Sequence, residues 1–265
     1  MRGDQREKID RWLSPPDPST NYNEALQRRQ ESSGLWFLQT DAFAKWNKRQ
    51  NSFLWLYGIP GCGKTVLSST IIKELKRTVP RQSLLYFYFD FRDTHKQTLE
   101  SMIRSFVSQL YYRHEQTAQQ LDSLFSSCRD GRQQPTSQSL CKVLLHQIKQ
   151  VKEVWIVLDA LDECHTRKGL PTEGLLSWIR EVLHSEQTNV HLLVTSRQEQ
   201  DIESGIMTFA RNDDIVPIQS STITDDIRAY VQTRVRGDNP LKRWRSRPDV
   251  QQEIETQLIK KADGM

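Results

Sequence analysis

The stretch FLWLYGIPGCGKTVLSSTII, Phe53 to Ile72, constrains this chain more than any other. An apolar run suited to a buried strand, Phe53 to Tyr57, breaks into glycines. A helical pattern then starts at Lys64, with Val66, Leu67, Ile71, Ile72 and Leu75 at helix spacing. Gly58, Gly63, Lys64 and Thr65 fit G-x-x-x-x-G-K-[ST], with Ile59, Pro60, Gly61 and Cys62 between them and Val66 following. The residue types follow from the task of holding phosphates. Glycines let backbone N–H groups converge closely on an anion. A helix beginning at Lys64 aims its positive end at the same point. Lys64 adds a charge for the β- and γ-phosphates, and Thr65 offers a hydroxyl to Mg²⁺. A random chain of this length shows the pattern on the order of once in a hundred, and the flanking strand and helix narrow it further.

A metal at such a cradle calls for a carboxylate, and VWIVLDALDECH, Val154 to His165, supplies three. Asp159 ends an apolar strand, where an acid holds Mg²⁺ through water. Asp162 and Glu163 follow in the turn, and one of them can polarise an attacking water. Glu163 is the preferred general base, with Asp162 as assistant or substitute. Taken alone, DALDE fits an acid-decorated helix start better than a metal site; the upstream cradle tips it toward the metal. The strand HLLVTSR, His191 to Arg197, ends in Thr195, Ser196 and Arg197. The carboxyl end of a parallel strand faces the ligand crevice, so Arg197 is a candidate γ-phosphate sensor, although a surface arginine fits that position too.

Further strand patterns run over Leu84 to Phe89 and Ile215 to Ile218. Helical patterns run over Thr98 to Tyr112, Leu140 to Lys149, Gly174 to Leu183, Ile202 to Met207 and Val250 to Ile259. Short apolar strands alternating with helices predict an α/β domain with a parallel sheet covered on both faces. Ser126 to Gln138 reads as a loop, and Thr224 as the N-cap of DDIRAYVQTRV. The first fifty residues read as an irregular flank: a short amphipathic IDRWL, a proline-rich breaker SPPDPSTN, a helix over Asn23 to Gln30, and TDAFAKW capped by Thr40 or Asp41. The expected division is a flank over 1–50, a nucleotide-binding domain over 51–220 and the start of a helical domain over 221–265. A chain that stops at KADGM, so soon after a helix, suggests a fragment.

No apolar run is long enough to span a bilayer, and MRGDQREKID lacks a secretory apolar core. Cys62, Cys128, Cys141 and Cys164 show no zinc spacing and read as free thiols, which favours the cytoplasm. A net charge of +4 is too small to argue for nucleic acid. The basic cluster Lys242, Arg243, Arg245 and Arg247 around Trp244 reads as a solvated face. Tyr86 to Phe89 reads as sheet core rather than a base-stacking platform.

GIPGCGKT, VWIVLDALDEC, LLVTSR and DIVPIQSSTITDDIRAYV together resemble the NACHT nucleotide-binding module, of the STAND class of P-loop NTPases. The segment from SPPDPSTN to DAFAKW resembles the flank of fungal NOD-like receptors of the heterokaryon-incompatibility type. The resemblance implies a three-layer P-loop NTPase fold (ASCE group) with a mostly parallel five-stranded sheet, and places the Arg197 strand between the cradle strand and the Asp159 strand. It implies a cytoplasmic switch: ADP-bound and monomeric when closed, self-associating with ATP, hydrolysing slowly, and linked to effector and repeat domains in a longer protein. By position it makes Asp159 the Mg²⁺ acid, Glu163 the catalytic acid and Arg197 the sensor. It also suggests Gly34, Leu35 and Trp36 as a wall for the base. Many members carry glycine where this chain has Ala160. A motor ATPase of the AAA+ type and a non-hydrolysing nucleotide-bound scaffold are the competing readings, and ATP versus GTP stays open.

Overall fold

A computed structural model of the chain describes residues 2–30, 32–113, 115–185, 189–237 and 239–262. The last residues of KADGM therefore lie outside the described residues. Five strands form one sheet: β1 (Ser52–Tyr57), β2 (Leu84–Tyr88), β3 (Val154–Asp159), β4 (Val190–Ser196) and β5 (Ile215–Pro217). Their order is β2-β3-β4-β1-β5, and every pairing is parallel. The β4 strand thus lies between β1 and β3, as the resemblance implied.

Helices cover both faces. They are α1 (Arg2–Leu13), α2 (Ser19–Arg28), α3 (Leu35–Leu38), α4 (Asp41–Lys48), α5 (Lys64–Thr78), α6 (Leu99–Arg113), α7 (Glu115–Ser127), α8 (Ser137–Gln150), α9 (Leu175–Leu183), α10 (Gln200–Ile206), α11 (Ser220–Gly237) and α12 (Pro248–Ala262). Strand side chains alternate between two cores, as the two-residue period of a strand requires. Phe53, Trp55, Leu85, Phe87, Ile156, Leu158, Leu192 and Val194 pack with α6, α8 and α9. Leu54, Leu56, Tyr86, Tyr88, Val157 and Leu193 pack with α4 and α5. Burial on both sides explains why these strands read as unbroken apolar runs.

Three expectations need correction. The first fifty residues are not irregular: α1 to α4 occupy most of them, and Ile9, Trp12 and Leu13 of α1 are buried in the larger core. Trp12 meets the Phe125 ring edge-on at 5.3 Å and donates from its indole nitrogen to the Gln133 carbonyl at 2.7 Å. The expected loop over Ser126 to Gln138 is shorter at both ends, because α7 runs to Ser127 and α8 starts at Ser137. Thr224 is not an N-cap; α11 begins at Ser220 and Thr224 lies inside it. The Thr40 cap does form: its hydroxyl oxygen accepts from the Phe43 N–H at 3.2 Å.

Candidate nucleotide site

The GIPGCGKT loop joins the carboxyl end of β1 to α5. Gly61 and Gly63 adopt φ of 81° and 85°, a left-handed backbone that side chains resist. Gly58 is fixed by space instead. A Cβ there would stand 2.7 Å from Cys62 Sγ and 3.1 Å from the Ile218 carbonyl oxygen. Gly63 immediately precedes α5, so the first free N–H groups of a 15-residue helix open onto the loop. Lys64 Nζ folds back over the loop and donates to the carbonyls of Gly58 at 2.7 Å and Ile59 at 2.8 Å.

Asp159 ends β3 and is 2% exposed. Three hydroxyls donate to its carboxylate: Thr65 at 2.7 Å, Ser68 at 2.6 Å and Thr195 at 2.7 Å. Burial raises its pKa above the usual carboxylate range, against the pull of those hydroxyls and of Lys64. Sequence reasoning paired Asp159 with Thr65 but missed Ser68. Ser68 lies one position before a full turn from Thr65, on the same helical face, which was a legible signal. Among the described residues no group of three or more His, Cys, Asp and Glu gathers to hold a metal. One buried carboxylate beside one hydroxyl is the donor set of a Mg²⁺ site completed by phosphates and water, so the residues present fit that ion.

The two acids after β3 turn apart. Ala160 takes a left-handed conformation, φ 58° and ψ 54°, and so swings the chain out of the strand. Asp162 then faces β4: its carboxylate accepts from the Arg197 N–H at 3.0 Å and pairs with Arg197 Nε at 3.1 Å. Its backbone carbonyl accepts from Arg167, which also pairs with Glu199 at 2.9 Å and Asp201 at 3.0 Å. Glu163 faces β2, where it accepts from the Phe91 N–H at 2.8 Å. Burial raises the Glu163 pKa; the Phe91 bond opposes this, while Asp162, Asp90 and Asp159 add to it. Arg197 is therefore brought to Asp162, whereas Glu163 stands apart from both.

Beside the loop opens a cavity of about 620 Å³, within the range of small-molecule sites. Gly61, Cys62, Gly63 and Val66 form one side, and Gly34 and Trp36 another. Leu35, named with them from sequence, is not among its lining residues. Ile223, Ile227, Tyr230 and Val231 of α11 close it, with Leu258 from α12. Asp226 fastens the flank to α11: its carboxylate accepts from the Gly34 N–H at 2.7 Å. Burial raises its pKa, and the bonds from Gly34 and the Trp36 side chain oppose that. The role of α11 was hidden in sequence because Gly34 and Asp226 lie far apart along the chain.

Comparison with known proteins places this geometry. The family model described as nephrocystin 3, N-terminal, matches residues 32–197, more than half of the chain. The match spans the glycine loop, Asp159, both following acids and Arg197. The chain is also 25% identical over 218 residues to the vegetative incompatibility protein HET-E-1 of Podospora anserina. That alignment covers 77% of this chain and 15% of the relative, so the chain spans a small part of that protein. A five-stranded parallel sheet, a glycine loop leading into α5 and a family match across all the site segments agree: the chain belongs to the nephrocystin 3 N-terminal family, a NACHT-related family of the P-loop NTPase fold.

Proposed function

We propose that this chain is a nucleotide-operated switch, the core of a larger NOD-like receptor, that binds ATP or ADP with Mg²⁺ and hydrolyses slowly. The reading rests on one observation above all. The Thr65 hydroxyl and the Asp159 carboxylate meet at the head of α5, below a glycine loop and beside a cavity of nucleoside size. In this reading Gly58 to Val66 hold the phosphates, and Lys64 exchanges two carbonyl partners for phosphate oxygens. Thr65 and Asp159 would hold Mg²⁺, which would supply charge neutralisation at the phosphates. The cavity between Trp36 and α11 takes the base and ribose.

Glu163 is the better general base. Both oxygens of Asp162 are engaged by Arg197, and a carboxylate with a raised pKa accepts a proton more readily near neutrality. Arg197 and Asp162 then act as a coupled pair that responds to the γ-phosphate. The relative named above takes part, by its name, in vegetative incompatibility. By extension this chain serves cytoplasmic signalling of that kind, with self-association in the triphosphate state and partner domains beyond the chain. Among the described residues no helix is long and apolar enough to cross a membrane.

Mass analysis of the nucleotide released from purified protein, with sizing before and after ATP, tests this proposal. ADP from a monomer that associates with ATP and Mg²⁺ is the expected result. Steady turnover stimulated by a polymer would point to a motor instead. Glu163→Gln should keep nucleotide affinity and slow hydrolysis about 100-fold or more; unchanged turnover would move the base elsewhere.

A further inference from the structure

The edge of the sheet opposite β5 carries a second concentration of positive charge, unrelated to the glycine loop. From three elements, the fold brings Lys76 of α5, Arg81 of the turn before β2, and Arg113 at the end of α6 to the start of β2. This point is three strands from β1 and at the other end of the strands from the GIPGCGKT loop. Arg113 Nη1 donates to the carbonyls of Arg81, at 3.2 Å, and of Leu84. Lys76 Nζ donates to the Tyr86 hydroxyl at 3.3 Å and lies 3.6 Å from the centre of the Tyr22 ring. Among the described residues no carboxylate forms an ion pair with any of these three cations. Lys76 is pushed down to about 8 by burial, then by Arg113 and Arg81. The Arg113 pKa is lowered by burial, with Arg81 adding to it.

A cavity of about 630 Å³ opens beside this cluster, with Lys76 outside its lining. Arg81 and Arg113 line it, together with Ser108 and Gln109 of α6 and the rigid segment Pro15 to Pro18. Two acids also line it, but each has a partner of its own. Asp17 accepts from the Ser19 N–H and hydroxyl, both at 2.8 Å, and Asp10 is hydrogen-bonded to the Tyr112 hydroxyl. Arg113 is partly buried while Lys76 and Arg81 are exposed, and like charges gathered without an ion-paired carboxylate are unfavourable. A doubly charged tetrahedral anion would offset that repulsion, and guanidinium forks match its oxygens.

We propose that Arg81 and Arg113, with Lys76 beside them, form a binding site for the phosphate group of a small phosphate ester, separate from the nucleotide site. The site goes beyond the nucleotide reading and stands whether or not that reading holds. The test is calorimetric titration of inorganic pyrophosphate into the Lys64→Ala protein, in which the glycine loop competes less. Saturable binding is expected, weakened about 10-fold or more by Arg81→Ala and by Lys76→Gln. Arg81→Ala in the otherwise native chain should leave ATP affinity unchanged. Arg113 also caps β2, so Arg113→Lys serves where Arg113→Ala does not fold. Vesicles carrying phosphatidylinositol bisphosphate distinguish the source: sedimentation with them, but not with phosphatidylcholine vesicles, and lost in Arg81→Ala, assigns a lipid headgroup. Pyrophosphate binding without vesicle binding assigns a soluble ester. No saturable binding below about 10 mM, or binding indifferent to both Arg81→Ala and Lys76→Gln, overturns the proposal.

Discussion

Lys64 spends its charge on the Gly58 and Ile59 carbonyls, which are weak partners for an ammonium compared with phosphate oxygens. Lys64→Ala should therefore cost little stability but lower nucleotide affinity about 10- to 100-fold, as read by titration with a fluorescent ATP analogue. Asp159 shows the reverse balance. Its carboxyl is raised by burial, so the folded state favours the neutral acid. The stability this gives is present below the ordinary carboxylate pKa and is lost as pH rises through the raised value. Asp159→Asn should thus leave stability at neutral pH unchanged or higher, while Mg²⁺-dependent nucleotide affinity falls. Ala160 holds a left-handed conformation that glycine adopts freely and that its methyl group strains. Ala160→Gly should raise stability by about 0.5–1 kcal/mol in urea unfolding; a loss of stability would contradict the strain. At this scale the sequence was most legible where chemistry demands one residue type, as at Gly63, Lys64 and Asp159. The left-handed turn at Ala160 carried no such mark, since alanine reads as a helix former.

The β2 strand forms one edge of the sheet, and α6 rather than another strand covers its open side. Gln109 donates to the Tyr86 carbonyl at 3.0 Å and accepts from the Tyr86 N–H at 3.4 Å, while Arg113 caps the Leu84 carbonyl. One amide side chain thus does for Tyr86 what a neighbouring strand would do. Gln109→Ala leaves both groups unsatisfied and should cost about 1–3 kcal/mol, with aggregation rising on heating. Lys76 gives the same corner a pH signature. It sits at about 8 in the fold against an ordinary 10.5. Between those values the unfolded chain keeps a proton that the folded chain has released, so stability rises with pH across that window and is lost as pH falls through the lower value. Unfolding curves of wild type and Lys76→Gln should diverge in this way between the two pH values; parallel curves would contradict it. Strands and central helices were legible as elements because their apolar residues recur with a single period. Helix α7 and most of α1 were not. In α7 the apolar face is diluted by EQTAQQ and DS, although Leu121 and Phe125 are buried at helix spacing. In α1, RGDQREK masks Ile9, Trp12 and Leu13, and only the contact with Phe125 shows why they are apolar.

At the scale of the whole molecule the cavity beside the glycine loop is a joint between chain segments. The loop supplies one wall, the flank supplies Gly34 and Trp36, and α11 closes it, with Asp226 bonded to the Gly34 N–H. The proposed switch needs such a joint, because a ligand bound there would bias how the flank and the C-terminal helices sit on the sheet. The glycine loop and β3 acids could be read locally, whereas the cavity was only implied, since its walls come from opposite ends of the chain. The central claim is that the glycine loop, Lys64 and Asp159 together hold a nucleoside phosphate. The most direct measurement is the nucleotide content of the purified chain, by mass analysis after denaturation, beside equilibrium binding of ATP with Mg²⁺ to wild type and Lys64→Ala. The account predicts a bound nucleoside di- or triphosphate in wild type and its loss in the variant. A wild-type protein that carries no nucleotide and binds none with Mg²⁺ present, or a Lys64→Ala protein that binds as well as wild type, would contradict it.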